Sequence, residues 1–258
     1  MIKKIALAAA LAASSSFATY TFFPVGENHT GQVEVGETFI WTDEPVDFST
    51  DQIKVGGEFV VIPNLAIGIT GLGYQLWSEP DDCDGCDDSD GLLALTLGAR
   101  YWFMPILGVA VDVSLPLNSE DAVGKYDPLA FYVAAQFSKD LIPNLIIGAE
   151  AGLTYKLEDE DKSEGLGLRA QVELDYVISS IGLVPWIGAE FDMRISDVED
   201  GNWEGGSGDN SILLWIGAGK SFGKLFTLKA NFLMNFADEK ETMGTDWMGI
   251  NVKGAFSF

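Results

Sequence analysis

The chain has 258 residues, 47% of them hydrophobic, yet it carries 39 Asp and Glu against 15 Lys and Arg, a formal net charge of -24, and one histidine. A positive mean hydropathy of +0.16 beside that charge requires greasy and acidic segments to be kept apart, which points to apolar elements joined by acidic loops. Nucleic acid is excluded as a partner on the same ground, since binding would bring like charges together.

Lys3 and Lys4 precede an apolar run from Ile5 to Ala13, and Ser16-Phe17-Ala18 then supplies the small residues of an export cleavage site. The run is too short to cross a bilayer as a helix, so residues 1 to 18 read as a cleaved secretory signal peptide. Residues 19 to 258, about 240 in all, read as a single domain, because no Pro- or Ser-rich linker and no shift in texture divides them. No later stretch approaches 18 consecutive apolar residues, so a mature chain lodged in a membrane would cross it with strands.

From Gln32 onward, apolar and polar residues alternate with a period of two. Twelve strands are predicted, at roughly 31 to 41, 52 to 62, 65 to 77, 92 to 103, 107 to 117, 129 to 139, 145 to 157, 166 to 178, 184 to 196, 211 to 222, 225 to 237 and 247 to 258. Their lengths suit tilted strands that traverse a hydrocarbon core. Tight connections fall at Pro63-Asn64, Met104-Pro105-Ile106, Asp140 to Asn144, Ser179 to Gly182 and Gly223-Lys224, and longer polar ones alternate with them. The six long loops, 42 to 51, 78 to 91, 118 to 128, 158 to 165, 197 to 210 and 238 to 246, hold 28 Asp and Glu against three Lys, a net of 25 negative charges.

The strand from Leu107 shows the two faces most cleanly, with Leu107, Val109, Val111, Val113 and Leu115 on one and Gly108, Ala110, Asp112 and Ser114 on the other. Periodicity alone does not say which face points outward, because a soluble barrel buries its apolar face inside. The polar face carries charges and many glycines, among them Gly36, Gly108, Gly148, Gly152, Gly188 and Gly217, which suits a wet, narrow interior. Glu37 has apolar-face parity in the first strand, and the strand from Leu65 changes phase around Gly71-Leu72-Gly73; a bulge in either would restore the alternation. A recurring Ile-Gly-Ala motif, at 147, 187 and 216, is explained by repeated hairpin geometry.

In the last stretch, Met248, Ile250, Val252, Phe256 and Phe258 share one parity against Gly249, Asn251, Lys253 and Ser257. A final aromatic on the apolar face, with Phe256 before it, resembles the assembly signal of bacterial outer-membrane β-barrel proteins. The resemblance covers about a dozen residues and implies an all-β fold: a single-chain transmembrane antiparallel up-and-down β-barrel of about 12 strands in the cell outer membrane, with both termini periplasmic. It also implies the barrel-assembly machinery and outer-membrane lipid as partners. Aromatics near strand ends, such as Trp41, Tyr101, Phe103, Tyr155, Tyr176, Phe222 and Phe258, would form the interfacial girdles. Twelve strands about 4.8 Å apart, tilted near 40°, enclose a backbone radius of roughly 12 Å, larger than the filled eight-stranded barrels.

The pore-lining set expected from parity is Glu34, Lys54, Glu58, Arg100, Asp112, Glu150, Arg169, Glu173, Asp175, Glu190, Asp192, Arg194, Lys229 and Lys253. In a ring of twelve, the seventh to ninth strands would present an acidic wall opposite a mildly basic, amide-rich one. Such segregation resembles the constriction of porins, and salt-bridge ladders in a structural barrel would use the same residue types. The chain resembles small outer-membrane channels in strand count and polarity, which implies passive diffusion of small polar or cationic solutes. The alternative is a structural or surface-interaction barrel with acidic, cation-binding loops.

No enzyme activity is expected, because the sole histidine, His29, precedes the first strand and no Ser-His or Asp-His dyad can be built at the loop rim. Cys83 and Cys86 share one loop, and an exported chain would join them in a local disulfide. Around them Asp82, Asp84, Asp88 and Asp90 form two D-x-D-G fragments that suit Ca²⁺, although neither has the full spacing of a calcium loop. A solvated acidic tip accounts for the same residues, and no other cofactor is implied.

Overall fold

The computed structural model describes residues 29–42, 48–78, 91–115, 117, 129–157, 165–199, 202–205, 210–237 and 246–258. The expected signal peptide, Asp82, Asp84, Asp88, Asp90, Cys83 and Cys86 lie outside the described residues, as does the side chain of Arg194.

Among the described residues twelve long strands form the structure: β1 Gly31–Thr42, β2 Phe48–Ile62, β3 Leu65–Ser78, β4 Leu95–Met104, β5 Leu107–Leu115, β6 Ala130–Ile142, β7 Leu145–Lys156, β8 Leu166–Tyr176, β9 Leu183–Glu199, β10 Asn210–Phe222, β11 Phe226–Ala237 and β12 Trp247–Ser257. Each pairs antiparallel with its neighbours in sequence, and β12 returns to pair with β1, so the sheet closes on itself. Closure satisfies every strand edge, which is the condition for a sheet to stand in hydrocarbon.

The alternation places the strands correctly, and several ends shift by three or four residues, those of β2 and β9 among them. β2 begins at Phe48, inside the predicted loop, because pairing with β1 continues to Thr42 opposite Phe48, and the Thr50 hydroxyl donates to the Leu76 carbonyl at 2.9 Å. β9 runs on to Glu199, and a short strand at Asn202–Gly205 folds back on it, so this loop rises as a hairpin beyond the barrel.

Side-chain exposure decides which face is which. Val35, Ile67, Val133, Ile187, Ile216 and Phe256 all point outward and are exposed, as are large hydrophobics on every strand. The polar face therefore lines the interior, and the apolar belt around the ring is that of a membrane barrel. Glu37 faces outward with that belt: β1 pairs with both neighbours without any register shift, so no bulge turns it inward. The phase change in β3 does come from a bulge. Between Ile69 and Leu72, β3 spends three steps where β2 spends two, which moves the inward face from Ala66 to Gly73 and Gln75.

Rings gather toward both ends of the strands. At the end with the short turns, Phe226 packs on Phe222 and Phe256 at 5.9 and 4.8 Å between centroids; toward the long loops, Trp41 stacks on Phe39 at 5.6 Å. Two of the short turns are Pro-Asn pairs whose Asn64 and Asn144 adopt φ of 67° and 70°, a conformation asparagine tolerates after a proline that presets the turn. The closing seam ends on Phe258. Its amide donates to the Gly31 carbonyl at 3.0 Å, and its ring covers Gly31 so closely that a Cβ there would lie 2.6 Å from it.

Candidate pore and its lining

Every interior position is set by strand parity and register, so the lining can be built row by row. On β12 and β11, Lys253 lies directly opposite Lys229; on the other side Lys253 faces Gly36 of β1, and Gly36 faces Lys54 of β2. Three lysines thus share one level of the wall. Like charges directly opposite repel, and Glu34 of β1 offsets them: it accepts from Lys229 Nζ at 2.5 Å and pairs with Lys253 Nζ at 2.9 Å. Gly36 is what allows this crowding, since a Cβ there would sit 2.5 Å from the Lys253 Cβ.

Across the ring the wall is acidic. Glu150 of β7, Glu173 and Asp175 of β8, and Glu190 of β9 are buried in the lumen, with Asp192 of β9 beside them. Arg169 of β8 pairs with Asp192 at 3.0 Å and Glu190 at 3.7 Å, and its guanidinium sits 5.7 Å over the ring of Tyr132. Elsewhere Arg100 of β4 grips Glu58 of β2 through Nε and, at 2.6 Å, through Nη2. Asp112 is buried on β5. The ion pairs run along the wall between nearby strands, not across the lumen. Among the described residues neither Glu150 nor Glu173 pairs with a base, and neutral donors hold both. Tyr132, Gln136 and Gln171 donate to Glu150 at 2.6 to 2.8 Å, and Trp215 Nε1 donates to Glu173 at 2.5 Å.

Several lumenal glycines, Gly108, Gly152, Gly188 and Gly217 among them, seat aromatic rings, a use that the sequence reading did not foresee. Trp186 of β9 faces Gly217 of β10, and Trp215 of β10 faces Gly188 of β9. A Cβ on Gly188 would lie 2.2 Å from the Trp215 ring, and one on Gly217 would lie 2.7 Å from Trp186 Nε1. Each indole therefore lies flat on the partner strand's glycine, with Trp186 Nε1 donating to Asn231 at 2.6 Å. The Trp-Ile-Gly motif occurs on both strands, and the antiparallel register converts that repeat into a reciprocal pair. Trp102 on Gly108 and Tyr132 on Gly152 follow the same rule.

No family model and no curated protein matches this sequence. Solved structures do. An outer-membrane channel from Pseudomonas putida F1 superposes with a TM-score of 0.76 at 15% identity, over 92% of this chain and 98% of that one. The fold is that of bacterial outer-membrane β-barrels. The NanC porin follows at a TM-score of 0.57 and 8% identity, over 87% of this chain and 98% of its own. The translocator domain of the autotransporter NalP from Neisseria meningitidis gives 0.51 and 15%, over 90% and 89%. One barrel fold thus serves both channels and an autotransporter's translocator, and function must be argued from the lining.

Among the expected lining residues, the structure brings Glu34, Lys229 and Lys253 into one cluster, Glu58 and Arg100 into a second, and Arg169, Glu190 and Asp192 into a third. Sequence reasoning missed Trp102, Tyr132, Gln136, Trp186 and Trp215. The signal was present: each has the parity of the glycine and charge face, and aromatic type drew attention to the strand ends instead.

Proposed function

We propose that the chain is an outer-membrane channel, porin-like and without enzymatic activity, through which small polar solutes or ions diffuse passively with preference for cations. On this reading the signal peptide directs export, the assembly machinery inserts the barrel, and both termini lie in the periplasm. The observation that carries the cation preference is the pair of buried lumenal carboxylates, Glu150 and Glu173, held by neutral donors while Arg100, Arg169, Lys229 and Lys253 are engaged by other acids. The acidic loops support it by concentrating cations at the mouth within a Debye length of about 8 to 10 Å.

Reversal potentials of the purified barrel in a KCl gradient test this. Permeability should favour K⁺ over Cl⁻. The loop contribution should fade as salt rises, since the Debye length falls to about 3 Å at 1 M. Glu173→Gln with Glu190→Gln should lower selectivity even at high salt. Conductance without cation preference would refute the assignment of the lining.

The close packing of Trp186, Trp215 and Lys229 in the lumen, all at 3% exposure or less, favours one second reading, a structural or surface-interaction barrel with ion-binding loops. A folded barrel that never conducts in planar bilayers would select it.

A further inference from the structure

We propose that Arg169 of β8 and Asp192 of β9 form a solute subsite in the lumen, one that receives a small zwitterion by its carboxylate and its ammonium group. The register puts the two residues directly opposite each other, and Arg169 Nε donates to Asp192 Oδ1 at 3.0 Å. Glu190 joins them from two residues along β9, with its Oε2 3.7 Å from the same nitrogen. The guanidinium lies 5.7 Å over the ring of Tyr132, which is anchored in turn by its hydroxyl bond to Glu150. Side chains of β6 and β9 thus converge on one guanidinium.

Access separates this pair from the other lumenal pairs. The Arg169 and Asp192 side chains are 30% and 37% exposed, whereas Glu34 with Lys229 and Lys253, and Glu58 with Arg100, each shut one partner in to 10% or less. Both residues have lumenal parity, so that exposure is to the bore. Depth accounts for it: Arg169 stands three residues in from the long-loop end of β8, and Gly167, the lumenal position outside it, bears no side chain. Further in, Gln171, Glu173 and Asp175 of the same strand are each 4% exposed or less. A solute entering from the long-loop side meets the pair before that sealed layer.

The chemistry of the pair sets the class of solute. Arg169 reaches both acids through Nε, and among the described residues the N–H groups on Nη1 and Nη2 donate to nothing. That end of the fork matches a carboxylate. A simple anion is repelled by Asp192 and Glu190, and a simple cation by the guanidinium; a molecule that carries both groups satisfies each end, its carboxylate on the fork and its ammonium on Asp192. The register also sets Arg194 opposite Gly167, so these two strands place two bases and two acids together. A balanced patch suits a solute of no net charge.

The subsite deepens the channel reading and rests on it, so its test is a binding measurement that needs no conductance. Saturation-transfer NMR of the wild-type barrel in micelles, with L-alanine as the probe, should show saturable binding. Propionate and ethylammonium each carry one of alanine's two charged groups, and each should bind about tenfold more weakly, the factor of one charge-assisted hydrogen bond. Arg169→Gln and Asp192→Asn should each weaken alanine binding by a similar factor while the barrel still runs as a folded species on unheated gels. Arg169→Lys keeps the charge without the fork and should not restore it. No alanine binding in the wild type, half-molecules that bind as well as alanine, or binding unchanged in the folded variants would each overturn the subsite. A barrel that conducts K⁺ and fails these tests keeps the channel reading; one that binds alanine in the expected pattern and never conducts keeps the subsite and loses the channel.

Discussion

At the scale of single residues, the lumen is governed by which side chains a glycine admits. Trp215 rests on Gly188 and donates to Glu173, so packing and polarity at this point depend on one another. Trp215→Phe keeps most of the ring and deletes the donor, leaving a buried carboxylate oxygen unsatisfied; we expect a loss of about 1 to 3 kcal/mol. Gly188→Ala places a methyl where the indole lies and should cost a similar amount by displacing it. Both are measured by urea unfolding in micelles. Stability equal to wild type in Gly188→Ala would mean that the ring does not sit on the glycine.

At the scale of elements, two devices hold strands in place. Glu34 on β1 pairs with Lys253 on β12 and reaches past it to Lys229 on β11, so one carboxylate ties the closing seam across three strands. Glu34→Gln removes a charge from a buried cluster in which Lys229 is fully shielded, and should destabilise the barrel by about 3 to 5 kcal/mol. The second device is the close approach of β2 and β3 beside the β3 bulge. A Cβ on Gly68 would lie 2.1 Å from the Gly57 carbonyl oxygen, backbone against side chain, with no rotamer to relieve it. Gly68→Ala should therefore cost about 3 kcal/mol, against about 1 kcal/mol for Gly223→Ala, where the space is open and only the φ of 77° is strained. The folded fraction after stepwise heating ranks the two, and the reverse order would contradict the bulge geometry.

At the scale of the whole molecule, the ring closes where β1 meets β12, and Phe258 is the last residue of that joint. Removing it deletes two backbone hydrogen bonds with Gly31 and the ring that covers that glycine. We expect the shortened chain to accumulate unassembled in the periplasm, read as loss of the folded band from outer-membrane fractions. Normal assembly would show that the seam closes without its terminal aromatic.

Period-two alternation determined the strands, their number and the order of short and long connections, because parity is a local property carried along each segment. Leu107 to Leu115 shows this: its two faces were legible before any partner was known. The sequence also contained the set of lumenal charges, since Glu150, Glu173, Lys229 and Lys253 share the polar parity. Alternation alone could not say that this face points inward, because apolar-in and apolar-out barrels alternate alike; its charges and glycines pointed that way, and the exposed outer belt decided it. Nor could it pair the charges. Glu34 and Lys229 are 195 positions apart and meet only because closure sets β1 beside β12. The same holds for the Trp-Ile-Gly repeat at Trp186 and Trp215, which in one dimension is two unrelated tripeptides. Antiparallel register lays each indole on the other's glycine, and register is a relation between strands that no single strand encodes.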